Sequence, residues 1–261
     1  MITRGDIIRA VADFAPPTLQ ESWDNSGVQV DLDPARECTG VLLGVDVTPE
    51  VVAEAAARGC NLIVSHHPLL FRGVKTLTGA TGVERALIEA VRADIAVYSA
   101  HTSLDSAPGG VSWEMARMLG AEVTGVLAPS ATDPDAGLGV VTRLARPCGR
   151  DEFIRMVALT FGAPHLRCSA GGCGEVTTVA LCGGAGGEFI PRAIAVGAQA
   201  YITGDVRYHD FVDHGNALLI ADIGHFEGES CVKSIFYRVI TEKFPNFAVH
   251  YSNQQNPVHY L

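Results

Sequence analysis

The sequence predicts an α/β fold made of two similar lobes, the first at residues 1–125 and the second at residues 126–261. Short apolar runs, typical of buried parallel strands, alternate with amphipathic stretches of helical length. This alternation occurs twice, and a stretch rich in Pro, Asp, Ser and Gly at residues 126–137 separates the two sets. Histidines follow strands in both sets. Since ligand sites in α/β folds collect at strand ends, we expect a functional site there.

The first lobe begins with a helix at residues 3–14, in which Thr3 and Asp6 form a capping box with Asp in place of Glu. The elements after it run strand, helix, strand, which implies parallel strands joined by a right-handed crossover. The predicted strands are 40–45, 62–65 and 95–99, and the predicted helices are 49–58, 83–93 and 111–119.

The second lobe repeats the alternation. Its predicted strands are 138–144, 176–181, 200–203 and 217–221, and its predicted helices are 150–161, 189–196 and 231–243. The second lobe aligns with the first at a shift of 138 residues around residues 62–65, and at a shift of 124 around His101, which meets His225. We therefore predict an internal duplication, with the segment 222–261 closing a metal site in the cleft between the lobes.

Composition limits the possible partners and location. The 261 residues are 48% hydrophobic and 18% charged, as expected of a soluble globular protein, and the formal net charge is -10. Without a basic stripe, binding to nucleic acid is disfavoured. Asp6 comes too early for a secretory signal and no apolar run reaches the length of a membrane span, so we expect a cytoplasmic protein without a membrane partner.

The seven cysteines do not predict a structural zinc site. Their spacing is irregular and contains no C-x-x-C pair. Cys168 and Cys173 form the single close pair, and we interpret them as ordinary thiols in a reducing compartment.

The double histidine His66-His67 follows the predicted strand at residues 62–65. Neighbouring side chains of an extended chain point to opposite sides. One shared metal ion is therefore awkward for this pair, and either two ions or a bent backbone is easier. The alternative is that both are ordinary polar residues at a strand end.

Two further histidines each precede a carboxylate by four residues. His101 and Asp105 lie in a predicted loop, where this spacing carries little geometric information. His225 and Glu229 lie at the start of the last long predicted helix, where the same spacing places both on one face. Asp222 is a candidate to orient a ligand histidine.

The candidate metal ligands are His66, His67, Asp105, His225 and Glu229. Imidazoles and carboxylates in this number can hold two divalent ions, and the ligand types suit zinc, iron, manganese or cobalt. Two such ions lower the pKa of a shared water and generate a nucleophile near neutral pH. His101 is the candidate catalytic residue for proton transfer, because histidine ordinarily titrates in this range.

Two other motifs admit competing interpretations. The glycine run at residues 183–187 is predicted to connect a strand to a helix, where its N–H groups could cradle an anion such as a phosphate, or it is a tight turn without a ligand. Trp23-Asp24-Asn25 is interpreted as a core tryptophan beside an Asx turn. Asp205, after the strand at residues 200–203, either contacts substrate or caps the next segment.

Several motifs together resemble one family, the NGG-one-interacting factor three proteins, whose members are commonly called GTP cyclohydrolase 1 type 2 homologs. The resemblance runs through most of the chain. The motifs that carry it are Glu21-Ser22-Trp23-Asp24-Asn25-Ser26-Gly27, Ser65-His66-His67-Pro68-Leu69-Leu70-Phe71, Ala100-His101-Thr102-Ser103-Leu104-Asp105, Thr203-Gly204-Asp205-Val206-Arg207-Tyr208-His209 and Gly224-His225-Phe226-Glu227-Gly228-Glu229.

The resemblance implies a duplicated α/β fold, a dinuclear metal site between the lobes and a ring-shaped homohexamer. Matched residue by residue, it implies the same five ligands that the sequence suggests. The family name implies hydrolytic opening of the guanine ring of GTP, so we expect a metal-dependent hydrolase of a small anionic substrate, with a nucleotide as one candidate. The rival hypothesis is a non-catalytic metal-binding ring that acts as an interaction or regulatory module.

Overall fold

A computed structural model describes residues 1–131, 133–171 and 174–260 of the chain. The strands of this part of the chain are β1 (Gly27–Val30), β2 (Val41–Gly44), β3 (Leu62–Ser65), β4 (Ala96–Ser99), β5 (Ala121–Pro129), β6 (Gly137–Gly149), β7 (Arg167–Cys168), β8 (Glu175–Ala185), β9 (Ala200–Gly204), β10 (Leu219–Asp222) and β11 (Val249–Tyr251). The α-helices are α1 (Arg4–Phe14), α2 (Pro49–Ala57), α3 (Gly82–Arg92), α4 (Thr102–Ser106), α5 (Val111–Leu119), α6 (Arg150–Phe161), α7 (Ile190–Ala195), α8 (Tyr208–His214), α9 (His225–Glu229) and α10 (Val232–Lys243).

The chain forms two compact α/β units, each with its own sheet, which confirms the predicted fold class. The first unit comprises residues 1–107 and 232–255, and the second comprises residues 108–231 and 256–261. The boundary predicted at residues 125 and 126 falls within β5, and α10 and β11 belong to the first unit.

The sheet of the first unit has the strand order β1-β4-β3-β2-β11. β2, β3 and β4 are parallel and buried along their whole length, as their continuous apolar sequences predict. Leu42, Ile63 and Val97 of these strands pack with residues of α2 and α3 in one hydrophobic core. α1 begins with the predicted capping box, in which Thr3 and Asp6 each bond to the backbone of the other.

The sheet of the second unit has the order β5-β6-β8-β9-β10-β7, in which β8, β9 and β10 are parallel. Ala180, Tyr201 and Ile220 of these three strands share one core with residues of α7. Both units therefore contain three parallel strands in chain order, joined by helices.

The sheet registers shift the predicted alignment of the two halves by one residue. Leu62 pairs with Ala96 in the first unit, and Ala200 pairs with Leu219 in the second. If Leu62 is equivalent to Ala200, then His101 is equivalent to Gly224 and not to His225. The second half thus has one more residue between its last parallel strand and its histidine.

The predicted linker at residues 126–137 is wrong in its first part. β5 runs to Pro129 and pairs with β6 over its length, from Ala121 with Leu144 to Pro129 with Gly137. The turn-forming residues therefore mark a β-hairpin, and Gly137 begins β6 with a positive φ of 146°. A hairpin loop and a linker have the same amino-acid composition, so only the pairing of the flanking strands shows which of the two is present.

No helix within the described ranges is long and apolar enough to cross a membrane. Of the two cysteines interpreted as ordinary thiols, Cys168 lies in β7 and Cys173 lies outside the described residues.

Candidate metal centre

The double histidine lies just beyond the end of β3, where the chain bends. The backbone N–H of His66 donates to the carbonyl of Gly44 (3.2 Å) and that of His67 donates to the carbonyl of Val45 (2.8 Å). These bonds extend the pairing between β3 and β2 beyond the ends of the two strands, so the backbone holds both residues in place. The His66 side chain is fully buried, whereas that of His67 is 24% exposed.

The two side chains converge instead of pointing to opposite sides. Their ring centroids are 5.1 Å apart, and each lies within 5.3 Å of the His101 ring. One ligand nitrogen from each of the three histidines lies within 4.8 Å of the others. The bent backbone, one of the two arrangements that the sequence left open, is observed, and the number of ions stays a prediction.

His101 and Asp105 belong to a short helix, so the predicted loop is wrong here. His101 is the residue before α4, and the N–H of Asp105 donates to its carbonyl (3.1 Å). The Asp24 carboxylate accepts from the N–H (3.1 Å) and the hydroxyl (2.6 Å) of Thr102 at the start of this helix. The turn-forming residues Pro108-Gly109-Gly110 are typical of a loop, but they follow α4 and do not prevent it. The helix brings Asp105 Oδ1 to 3.7 Å from His66 Nε2.

The second unit contains a matching pair on α9. His225 Nε2 lies 3.1 Å from Glu229 Oε2, with one helical turn between the two residues, as the sequence predicts. Asp222 does not orient His225. It accepts from the N–H groups of Val206 (3.1 Å) and Gly224 (3.0 Å) and from Arg167, and so fixes the loop.

The four histidines of the candidate site are each oriented through Nδ1. The partners are the carbonyl of Ala100 for His66 (2.9 Å), Asp46 for His67 (2.7 Å), Asp24 for His101 (2.8 Å) and Asp205 for His225 (2.8 Å). A carbonyl or ionised carboxylate oxygen only accepts, so the Nδ1 of each ring carries a proton. In the neutral ring, Nε2 then carries the lone pair that can coordinate a cation. Orientation of this kind is typical of metal-binding histidines.

The sequence did not identify Asp46 as functional, and it interpreted Asp24 only as part of an Asx turn. Asp46 lies shortly after β2 and Asp24 directly follows a tryptophan. In both cases the carboxylate fixes the ring of a histidine from another segment of the chain. Burial raises the pKa of Asp24, but hydrogen bonds from His101, Thr102 and Ser26 outweigh it and hold the pKa well below its usual range. Asp24 is therefore ionised near neutral pH.

The Trp23 side chain is not in the core, contrary to the prediction. It is 58% exposed and lies against the rings of Phe71 and His101. The neighbouring Asp24 hydrogen-bonds to His101 and Thr102, whereas the Trp23 ring lies at the surface.

The glycine run is largely part of β8 and not a connection after it, because the strand extends to Ala185. Gly184 has a φ of 59°, and a Cβ there would collide with Glu229 Oε1 and lie 3.4 Å from His225 Nε2. A Cβ at Gly183 would lie 2.6 Å from Val111. Gly184 thus makes room for the His225–Glu229 pair, which gives this glycine a role other than in an anion cradle.

Gly184→Ala is expected to lower metal binding, because the new methyl group displaces the Glu229 carboxylate. The left-handed backbone adds roughly 1–2 kcal/mol of strain. Gly197→Ala is the matched control, since Gly197 has a φ of 75° and an open space around its Cβ position. Both variants should lose a few degrees of Tm, but only Gly184→Ala should lose metal in elemental analysis. Equal metal content in the two variants would contradict the proposed role of Gly184.

Comparison with known proteins gives one family along nearly the whole chain. The model of Duf34/NIF3 (NGG1p interacting factor 3) matches residues 2–257. The chain is 39% identical over 226 residues to a GTP cyclohydrolase 1 type 2 homolog of Clostridium perfringens, which covers 86% of each chain. It is 35% identical over 246 residues to a protein of the same name from Lactococcus lactis, which covers 90% of this chain and 88% of the relative. A Bacillus cereus protein related to NIF3 has the same fold, with a TM-score of 0.90 and 23% identity over 100% of this chain and 99% of that one.

Proposed function

This chain belongs to the Duf34/NIF3 family, and on that premise we propose that it is a metal-dependent hydrolase with a dinuclear centre. The proposed ligands are His66, His67, Asp105, His225 and Glu229. The observation that carries it is that each of the three proposed ligand histidines is fixed through Nδ1 and so keeps the Nε2 lone pair for a cation, as is typical of metal-binding histidines.

The donor set fits divalent ions. Imidazole nitrogen and carboxylate oxygen together suit zinc, iron, manganese and cobalt, and no thiolate is needed. The close approach of His66 to Asp105 and of His225 to Glu229 gives each unit one nitrogen and one oxygen donor. When bound, such ions lower the pKa of water and polarise an oxygen or nitrogen of the substrate.

His101 is proposed to accept the proton from the attacking water. Its Nδ1 donates to Asp24, which fixes the ring and leaves the lone pair on Nε2 for the proton. The ionised Asp24 then stabilises the imidazolium that forms. Asp24 is thus a positioning residue, and His101 is the proposed general base.

We propose that the substrate is a small anion, with a guanine nucleotide as the first candidate. The relatives' shared name supports hydrolysis at the guanine ring, and the same site chemistry also suits phosphoester or amide hydrolysis. Elemental analysis of the purified protein, followed by a screen against nucleotides and phosphodiesters, tests the proposal. Two metal ions per chain and metal-dependent turnover are expected, and a metal-free protein that cannot be reloaded would contradict it.

His101→Gln is expected to keep both metal ions and to lose at least about 100-fold in kcat, because loss of a general base typically costs that much. Metal content by elemental analysis and kcat on the substrate found in the screen are the two readouts. His214→Gln is the control, since His214 lies at the end of α8 in the second unit and has no proposed role. If His101→Gln instead releases metal, His101 is a ligand and not the general base.

The proposed assembly is a ring-shaped homohexamer. A mass of six 27.6 kDa chains in light scattering is the expected result, and a monomer at working concentrations would contradict it.

A further inference from the structure

Two exposed aromatic rings lie directly beside the histidine cluster of the first unit. Trp23 is 58% exposed and Phe71 is 46% exposed. Their ring centroids are 6.1 Å apart at an interplanar angle of 69°. Each centroid is also 6.0 Å from that of His101, at angles of 75° and 84°. The three rings are therefore nearly perpendicular to one another, and we call Trp23, Phe71 and His101 the aromatic corner.

Hydrogen bonds hold the two segments of the aromatic corner together. Asn25 Nδ2 donates to the carbonyl of Leu70 (2.8 Å), and the N–H of Leu70 donates to Gln29 Oε1 (3.1 Å). Gln29 Nε2 donates back to the carbonyl of Asn25 (2.7 Å). The segments that carry Trp23 and Phe71 are thus bonded to each other, which holds the two side chains on neighbouring parts of the fold.

This arrangement is typical of a binding surface. An isolated exposed apolar side chain needs no explanation, whereas two large exposed rings side by side form an apolar patch, and covering that patch with a ligand is favourable. A flat ligand ring fits the aromatic corner, because one side chain can stack on the face of the ligand ring while another contacts the edge of that ring. His66 and His67 lie within 5.3 Å of the His101 ring, so a ligand there would be next to the proposed metal ligands.

We propose that the aromatic corner binds a planar heteroaromatic ring of the substrate, such as a purine base, and so selects this class of substrate. Stacking recognises the ring and not the phosphates, because every base presents a π face to an aromatic side chain. The proposal rests on the proposed hydrolase function for its biological meaning. Binding of the ring itself uses residues other than the five proposed ligands and can be measured without turnover.

Tryptophan fluorescence provides the direct test. The chain has two tryptophans, Trp23 and Trp113, so Trp113→Phe leaves Trp23 as the sole reporter in the full-length protein. We would titrate this variant with guanosine, GTP and inorganic triphosphate, both metal-free and loaded with Zn²⁺. Guanosine and GTP should quench the fluorescence in both states, and inorganic triphosphate should not. If guanosine quenches in neither state, or triphosphate alone reproduces the effect of GTP, the inference is overturned.

Two further variants separate ring binding from a structural effect. Phe71→Ala should raise the Kd for guanosine at least about fivefold, as expected for loss of one aromatic contact. Tyr208→Ala is the matched control, because Tyr208 is 74% exposed and lies in the second unit. An unchanged Kd in Phe71→Ala by calorimetry would contradict the inference. Metal uptake, measured on the same samples, reports separately on the proposed function. A protein that binds guanosine but takes up no metal when metal is supplied would contradict the hydrolase, and a protein that takes up metal but does not bind guanosine would contradict only the aromatic corner.

Discussion

Replacing His67 by alanine is expected to release metal and abolish turnover while the fold remains intact. His67 is one of five proposed ligands, and its ring is fixed by the bond from Nδ1 to Asp46 (2.7 Å). Since changes to outer partners of a metal ligand already cost about 10–100-fold in affinity, loss of the ligand itself should cost more than about 100-fold. The side chain is partly exposed, so its truncation leaves no closed cavity.

The measurement is the number of metal ions per chain after dialysis, with Tm and circular dichroism to monitor folding. Asp46→Asn should weaken metal binding by about 10–100-fold, because it removes only the orienting carboxylate. His209→Ala is the control, since His209 is exposed on α8 and contacts Tyr208. Full metal content and activity in His67→Ala would show that the proposed ligand set is wrong.

Replacing Arg4 by methionine is expected to destabilise the protein by about 3–5 kcal/mol, which is the usual cost of removing one partner of a buried ion pair. Arg4 is completely buried. Its guanidinium lies 3.3 Å from Asp31 Oδ1 and 3.0 Å from Asp94 Oδ1, and it donates to the carbonyl of Asp94 (2.9 Å). Methionine fills much of the volume but leaves the Asp31 carboxylate buried without its cation.

Chemical denaturation gives the free energy of unfolding for this test. Arg9→Met is the matched control on the same helix, because Arg9 is 71% exposed and 3.9 Å from Asp6, and it should cost less than about 1 kcal/mol. Adding Asp31→Leu to Arg4→Met should recover part of the loss, since both charges are then removed. A cost below about 1 kcal/mol for Arg4→Met would contradict the structural role of this ion pair.

Sequence patterns predicted the parallel strands and the shared helix face of His225 and Glu229 well, because each depends on local signals, whereas the ligand role of the five candidate residues stays a prediction. The apolar run Leu62–Ser65 has the length and composition of a buried strand, and it is β3 in the structure. The spacing of His225 and Glu229 indicated one helix face, and α9 confirms it. In both cases the periodicity of one segment was sufficient.

The errors arose where distant segments determine the local structure. Residues 126–129 look like linker, but β6 pairs with them as β5. The helix that carries Asp105 depends on Asp24, which accepts from Thr102 across 78 positions of the chain. Gly184 was interpreted as part of a loop because the sequence alone does not show that the side chains of Glu229 and His225 lie against it. The two partners of each of these contacts lie too far apart in the sequence to belong to one local pattern.

Anomalous diffraction from crystals grown with Zn²⁺ or Mn²⁺ is the most direct test of the proposed dinuclear centre. Data collected at the absorption edge locate metal ions independently of any activity. The proposal predicts two anomalous peaks per chain, bound by the Nε2 atoms of the three ligand histidines and by the carboxylates of Asp105 and Glu229. Peaks bound only by other residues, or none beside His66, would contradict it.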